Sequence, residues 1–407
     1  MTTGTEHVIP DLADPATFVD GVPHEAFDRI RERPGLYWQP GETLPNGGFW
    51  VLTRRADILK VEADPDTFTS TRGVNHPGMG ADPETNPIRD LIFFMDPPMH
   101  SRVRRAAASS FGPRVVANFD GWVRSIVVEA LDAAVAKQEF DWVAEIAVLI
   151  PARVIARVMG VPNDERHKIV EWASDMFHMG EDGDEASARS GEIILEVMAY
   201  SAVLREEKLR DPKDDMITSL ASSVERGEIS MNEFLLYCMG LMIAGFETTH
   251  TLMGQVMRMM VEDPEVSDTF YSTMATDGAD PLIEEFLRMI SPAMNFARTA
   301  TRDVEFAGEH IKAGDVMHMM FAAASRDPEV FDEPHRFVPG RAHGSEHLSF
   351  GSGPHRCIGQ ALARLEIRIL FEELARRDLH FELAGEPKRG LSTFINQLTY
   401  LPVRLVG

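Results

Sequence analysis

The chain has 407 residues, 44% of them apolar and 26% charged, and a formal net charge of −24 at pH 7. That length allows a large buried core, and the acidic balance argues against nucleic acid as a partner. Two cysteines cannot build a disulfide framework, so a reducing, cytoplasmic setting is expected.

The opening "MTTGTEHVIPDLADP" has neither the basic nor the apolar run of a signal peptide. "GLYWQP" and "GFWVLTR" read as short strands in an N-terminal β-containing region of about 36–60. A helical body follows over about 87–290. Near its start, "DPPMHSRVRR" puts His100 and Arg104 four apart on an expected helix. Two basic groups on one face suit a buried carboxylate, and a solvated basic face is the plainer alternative. Apolar spacing predicts helices over 114–137, 141–159, 163–178, 187–209, 231–262 and 279–290, with breaks at "DPKDD" and "EDPEV".

The helix over 231–262 carries the longest apolar stretch, 234–246, too short to span a bilayer. Its middle reads "AGFETTH", where an acid and two threonines interrupt the apolar pattern. Thr248 and Thr249 lie one turn after Ala244 and Gly245, so their hydroxyls can bond the carbonyls there and loosen the helix. Gly245 removes bulk on the same surface. A small polar groove for a diatomic ligand and waters is expected, although Glu247 alone could equally be solvated. Cys238, in the same helix, reads as a small apolar core residue.

In the helix over 279–290, Glu285 and Arg288 stand three apart, by itself an ordinary ion pair. The late region, about 291–407, alternates in "FARTATRDVEFAGEHIKAGDVMHMMF" and "FINQLTYLPVRLV" and holds one more predicted helix, 358–376. No linker-like tract divides the chain. One domain over 1–407 is expected, mainly α with small β regions at either end.

"FGSGPHRCIG" precedes that last helix. A helix start stabilises a thiolate through its free N–H groups, which suits Cys357 to metal ligation. Gly351 and Gly353 would let the backbone turn and aim N–H groups at sulfur, and Gly359 would admit a flat ligand. One cysteine is too few for structural zinc but sufficient as an axial haem ligand. A buried structural cysteine is the alternative.

The stretch resembles the haem-binding signature F-G-x-G-x-H-x-C-x-G of the cytochrome P-450 monooxygenases, and the resemblance runs from about Ala26 to Val406. It implies the P-450 fold, with haem b between the long central helix and the Cys-loop helix. It implies Cys357 as iron ligand, His355 as a propionate partner, and Phe350, Gly359, Ala244 and Gly245 at the cofactor. "AGFETT" is similar to the family's A-G-x-[DE]-T-[TS], which makes Glu247 and Thr248 the acid–alcohol pair supplying protons for oxygen activation. "EEFLR" looks like the family's E-x-x-R, giving Glu285 and Arg288 a structural role. Arg336 in "EPHRFVPGR" is chosen as third member and Arg341 is the alternative, since His335 departs from the usual carboxylate. His100 with Arg104 matches H-x-x-x-R, and Arg298 matches a further propionate-binding arginine.

The resemblance also suggests substrate contacts at Phe93, Phe94, Leu241, Met294, Phe296 and Phe394. Dioxygen is the implied co-substrate. No flavin or nicotinamide fingerprint is found, so electrons are expected from an acidic ferredoxin with a separate NAD(P)H-dependent reductase. Arg102, Arg105, Arg356, Arg364 and Arg368 would form its basic docking face. The late segments are similar to subgroups that hydroxylate terpenoids, steroid side chains, alkanes or fatty acids. The protein is expected to be a monomer without a membrane anchor. A peroxygenase or isomerase, and a non-catalytic haem-binding protein, are the alternatives.

Overall fold

A computed structural model describes residues 9–41, 45–75, 79–178 and 183–406. The leaderless reading of residues 1–8 therefore lies outside the described residues. The helices in chain order are α1 His24–Glu32, α2 Arg55–Ala63, α3 Met99–Ala108, α4 Pro113–Ala117 and α5 Asp120–Val135. Then come α6 Leu149–Met159, α7 Arg166–His178, α8 Gly183–Arg210, α9 Met216–Glu225 and α10 Met231–Glu262. The last four are α11 Pro264–Thr276, α12 Ala279–Ile290, α13 Phe321–Ala324 and α14 Gln360–Arg376.

The expected bounds of α10 and α12 hold, and in α10 local chemistry sets the start. Ser230 caps α10: its hydroxyl accepts from Glu233 N–H at 3.1 Å while Glu233 Oε2 accepts from Ser230 N–H at 2.7 Å. The two sequence breaks are caps as well. Asp215 accepts from Thr218 N–H to begin α9, and Asp263 with Pro264 begins α11. Two other predicted helices are divided. Residues 114–137 break at Asn118–Phe119, for which the local chemistry gives no account. Residues 141–159 start as strand β4 Glu139–Asp141 and pass through a π-helical turn, Val143–Val148, before α6. The strand forms because Asp141 is held from afar, its Oδ1 accepting from Leu401 N–H.

The remaining strands are β1 Tyr37–Pro40, β2 Gly48–Leu52, β3 Phe68–Thr69, β5 Phe296–Ala300, β6 Val304–Phe306, β7 Glu309–Ile311 and β8 Val316–Met319. They are followed by β9 His380–Leu383, β10 Lys388–Arg389, β11 Leu398–Tyr400 and β12 Pro402–Val406. The β regions expected at either end are not separate. They share one sheet of order β1-β2-β8-β5-β3, in which β2 runs parallel to β8 with Trp50 opposite Met317.

α10 passes through the core against α6, α8, α11 and α12, and α14 packs on α5 and α12. Phe270, Phe371 and Phe286 meet edge to face at 5.1 and 5.6 Å and lock α11, α14 and α12 together. Each ring removed from water contributes roughly 2–3 kcal/mol. This packing fixes the position of α14, the helix that the Cys357 loop leads into. No helix among the described residues is long and apolar enough to cross a membrane.

Candidate active site

The loop before α14 closes on itself, Cys357 N–H donating to Phe350 O at 2.9 Å. Gly351 and Gly353 adopt φ of +62° and +59°, which a side chain would strain. The N–H groups that reach sulfur belong to Gly359 and Gln360 rather than to those two glycines. Burial raises the thiol pKa, while these N–H groups and the charges of Arg104 and Arg364 pull it down. Gly353 answers a different need: a Cβ there would stand 2.4 Å from the Glu62 carbonyl oxygen of α2.

Beside the loop, four basic side chains converge. The rings of His100 and His355 are 4.1 Å apart. Burial and then Arg104 lower His100 to about 4; burial, Arg298 and His100 hold His355 well below its ordinary value. Arg298 is 5% exposed, and its guanidinium donates to Ala297 O at 2.8 Å without an ion pair among the described residues. Arg104 Nη2 donates to Arg356 O at 2.6 Å. Two imidazoles kept neutral next to a buried arginine without an ion pair make a cradle that favours anions, which fits carboxylates such as haem propionates. Ser70 Oγ, 3.2 Å from His355 Nε2, belongs to this group and was not found from the sequence, where it has no motif around it.

On α10, the hydroxyls of Thr248 and Thr249 donate to Ala244 O at 3.0 Å and Gly245 O at 3.3 Å, as the spacing predicts. The helix nonetheless continues unbroken. Leu241, Ala244, Gly245, Glu247 and Thr248 keep partial accessibility midway along an otherwise buried helix, so this face borders an internal space. Cys357 is likewise half-buried though deep in the fold. Burial alone raises Glu247 to about 7. One expectation is corrected here. Gly245 does not open a groove, since its Cβ would stand 2.9 Å from Ile155 Cδ1; glycine admits α6 instead.

Of the expected substrate contacts, three come together: Met294 N–H donates to Phe394 O at 2.8 Å, and the Phe296 and Phe394 rings lie 5.1 Å apart. Phe93 and Phe94, in the turn Ile92–Phe94, pack on the helical core with Leu241. Gly240 makes that approach possible, for a Cβ there would meet Leu91 Cδ1 at 2.6 Å and Phe93 at 3.7 Å.

The third member of the Glu285–Arg288 core is Arg341, not Arg336. Arg288 donates to both Glu285 oxygens at 2.8 and 2.9 Å, and Arg341 Nε lies 3.0 Å from Glu285 Oε2. Arg336 contributes only its carbonyl, to Arg288 and Arg341, while its side chain points to solvent and pairs with Glu333. His335 lies 2.9 Å from Asp28 of α1.

The expected basic face is mostly neutralised. Arg102 pairs with Glu233, Arg364 with both oxygens of Glu284, and Arg368 with Asp280. Arg364 also lies over the Phe350 ring at 4.4 Å. Burial opposes ionisation of Glu284, but Arg364 and His347 hold it at about 2. The side chains of Arg105 and Arg356 remain exposed and make no ion pair among the described residues.

A helical protein that turns one cysteine towards an internal space, with an acid–alcohol pair on its long central helix and a cationic cradle beside the sulfur, is built as a haem-thiolate protein. Comparison with known proteins agrees. The profile of the cytochrome P-450 family matches residues 279–397. The chain is 30% identical over 406 residues to the steroid C26-monooxygenase of Mycolicibacterium smegmatis, covering 98% of this chain and 94% of that one. It is also 30% identical over 402 residues to the methyl-branched lipid omega-hydroxylase of Mycobacterium tuberculosis, covering 94% of this chain and 91% of the relative. Among solved structures, a cytochrome P-450 of the 153 type from Novosphingobium aromaticivorans superposes with a TM-score of 0.86 at 26% identity, over 97% of this chain and 99% of that one.

The chain belongs to the cytochrome P-450 family and has its fold. It is a monooxygenase, and the family implies haem and dioxygen.

Proposed function

We propose that this enzyme hydroxylates an unactivated C–H bond of a small hydrophobic substrate (a terpenoid, steroid side chain, alkane or fatty acid), with haem b held through Cys357. The observation that carries the reading is the open stripe of α10, apolar except for Glu247 and Thr248. Bound haem supplies the centre at which dioxygen is reduced with two electrons and one oxygen atom is inserted. His100, Arg104, Arg298 and His355 would bind its propionates. Glu247, with a pKa of about 7, can both hold and release a proton near neutrality. Thr248 spends its own hydrogen on Ala244 O, so its oxygen is left to accept one. This intact pair favours oxygen activation by electron transfer over peroxygenase chemistry.

The apolar set Phe93, Phe94, Leu241, Met294, Phe296 and Phe394 supports a substrate whose reacting part is aliphatic. The relatives named for a steroid C26 position and a lipid omega position support the same class. We read residues 1–407 as one domain, because β2 and β8 join its two ends. The protein would work as a cytoplasmic monomer, and the free Cys238 and Cys357 agree with a reducing compartment. Electrons would come from an acidic ferredoxin, with its own reductase, docking at Arg105 and Arg356.

A carbon monoxide difference spectrum of the reduced protein tests the site; a band of the thiol rather than the thiolate type would overturn it. Product analysis with ferredoxin and reductase, across alkanes, fatty acids, terpenoids and steroids, tests the substrate class. Turnover supported by peroxide alone would replace the electron-transfer reading.

A further inference from the structure

Two contacts from the N-terminal part of the chain hold the Cys357 loop from outside the motifs. Glu62, in the last turn of α2, accepts a hydrogen bond from Ser352 Oγ, and the Ser352 N–H also favours its charged form. Ser70 Oγ reaches His355. Together these contacts bracket Gly353 and Pro354. The loop glycines turn towards Glu62: a Cβ on Gly351 would lie 3.4 Å from its Oε1, and one on Gly353 2.4 Å from its carbonyl oxygen.

Glu62 is 4% exposed, and a carboxylate so enclosed costs free energy unless it is hydrogen-bonded and offset by a cation. The cation acting on it is Arg298, and Glu62 is in turn the leading anion acting on Arg298. Burial raises its pKa, while Ser352 and Arg298 pull it back.

We propose that Glu62 is a positioning residue for the haem loop, its hydrogen bond holding Ser352 and its charge offsetting Arg298 in the propionate cradle. The proposal rests on the haem-thiolate reading above. The two roles separate chemically: Glu62→Gln removes the charge but keeps an acceptor, whereas Ser352→Ala removes the hydroxyl bond but keeps the charge.

The test uses haem-loaded wild type and both variants, compared over a range of pH. Midpoint potential and the reduced carbon monoxide band are measured. Glu62→Gln should keep the thiolate-type band and shift the potential upward, since the reduced state gains from losing a nearby negative charge. Ser352→Ala should keep the potential and lose the thiolate-type band faster on warming. An unchanged potential in Glu62→Gln would overturn the charge role, and equal band lifetimes in Ser352→Ala and wild type would overturn the tie. A wild type without a thiolate-type band would instead refute the haem-thiolate site itself.

Discussion

Arg341→Ala and Arg336→Ala should behave as opposites, although both arginines lie in one short loop. Glu285 is 1% exposed and accepts from Arg288 Nε and Nη2, from Val338 N–H at 2.7 Å and from Arg341 Nε. Burial works against its ionisation, and these donors, Arg288 first, hold its pKa below the usual carboxylate range. Breaking a buried ion pair costs about 3–5 kcal/mol, because the remaining charge stays buried without its partner. Arg288 remains in the variant, so about 3 kcal/mol is the expected loss, a more than hundredfold change in the folding equilibrium. Arg341→Lys should recover only part of this, because one ammonium cannot also serve the Asp332 and Arg336 carbonyls that Arg341 reaches. Arg336→Ala removes an exposed side chain and should leave stability unchanged. Urea unfolding followed by circular dichroism and haem absorbance measures both. Equal destabilisation by the two alanine variants would refute the reasoning.

Glu247→Gln should abolish a proton-delivery step whose donor form is populated below about pH 7 and is lost as pH rises. The rate of product formation should fall in the variant by roughly 10²-fold and lose its pH dependence. Stability follows pH in the same direction. A carboxyl raised from 4.5 to about 7 favours the fold at low pH and loses that contribution as pH rises through about 7. Glu247→Gln should therefore stabilise by at most about 3 kcal/mol above pH 7 and match wild type near pH 4 in chemical denaturation. Arg105→Glu and Arg356→Glu should slow reduction by a ferredoxin in a salt-dependent way with folding intact, as stopped-flow measurements at two ionic strengths would show. Gly353→Ala should lower haem retention and thermal stability, because the added carbon would meet Glu62 O at 2.4 Å where φ is already +59°.

Features whose cause lies within a turn or two of chain could be read from the sequence. The breaks at "DPKDD" and "EDPEV", the threonine bonds on α10 and the Glu285–Arg288 pair are all of this kind. What depends on distant chain could not. Arg364 and Arg368 look like free cations along α14, but Glu284 and Asp280, which neutralise them, sit 80 and 88 positions earlier. Gly245 reads as an opening until Ile155 fills it. The choice between Arg336 and Arg341 turns on which of them folds back to α12, and an aperiodic loop carries no signal for that. Glu62 lies outside every recognisable pattern, yet it decides which residues can stand at positions 351 and 353.

The parallel pairing of β2 with β8 also constrains how the chain is made. Trp50 emerges from the ribosome about 270 residues before the Met317 it must lie beside, so the hairpin of β1 and β2 waits with one edge open. Sequential helices such as α5, α6 and α10 can meet each other long before then. The strand that completes the sheet is followed within the chain by the Cys357 loop, so sheet closure and cofactor capture become late, neighbouring events of biosynthesis. A nascent chain stalled before Val316 would expose a ready template for aggregation and have nowhere to keep a haem.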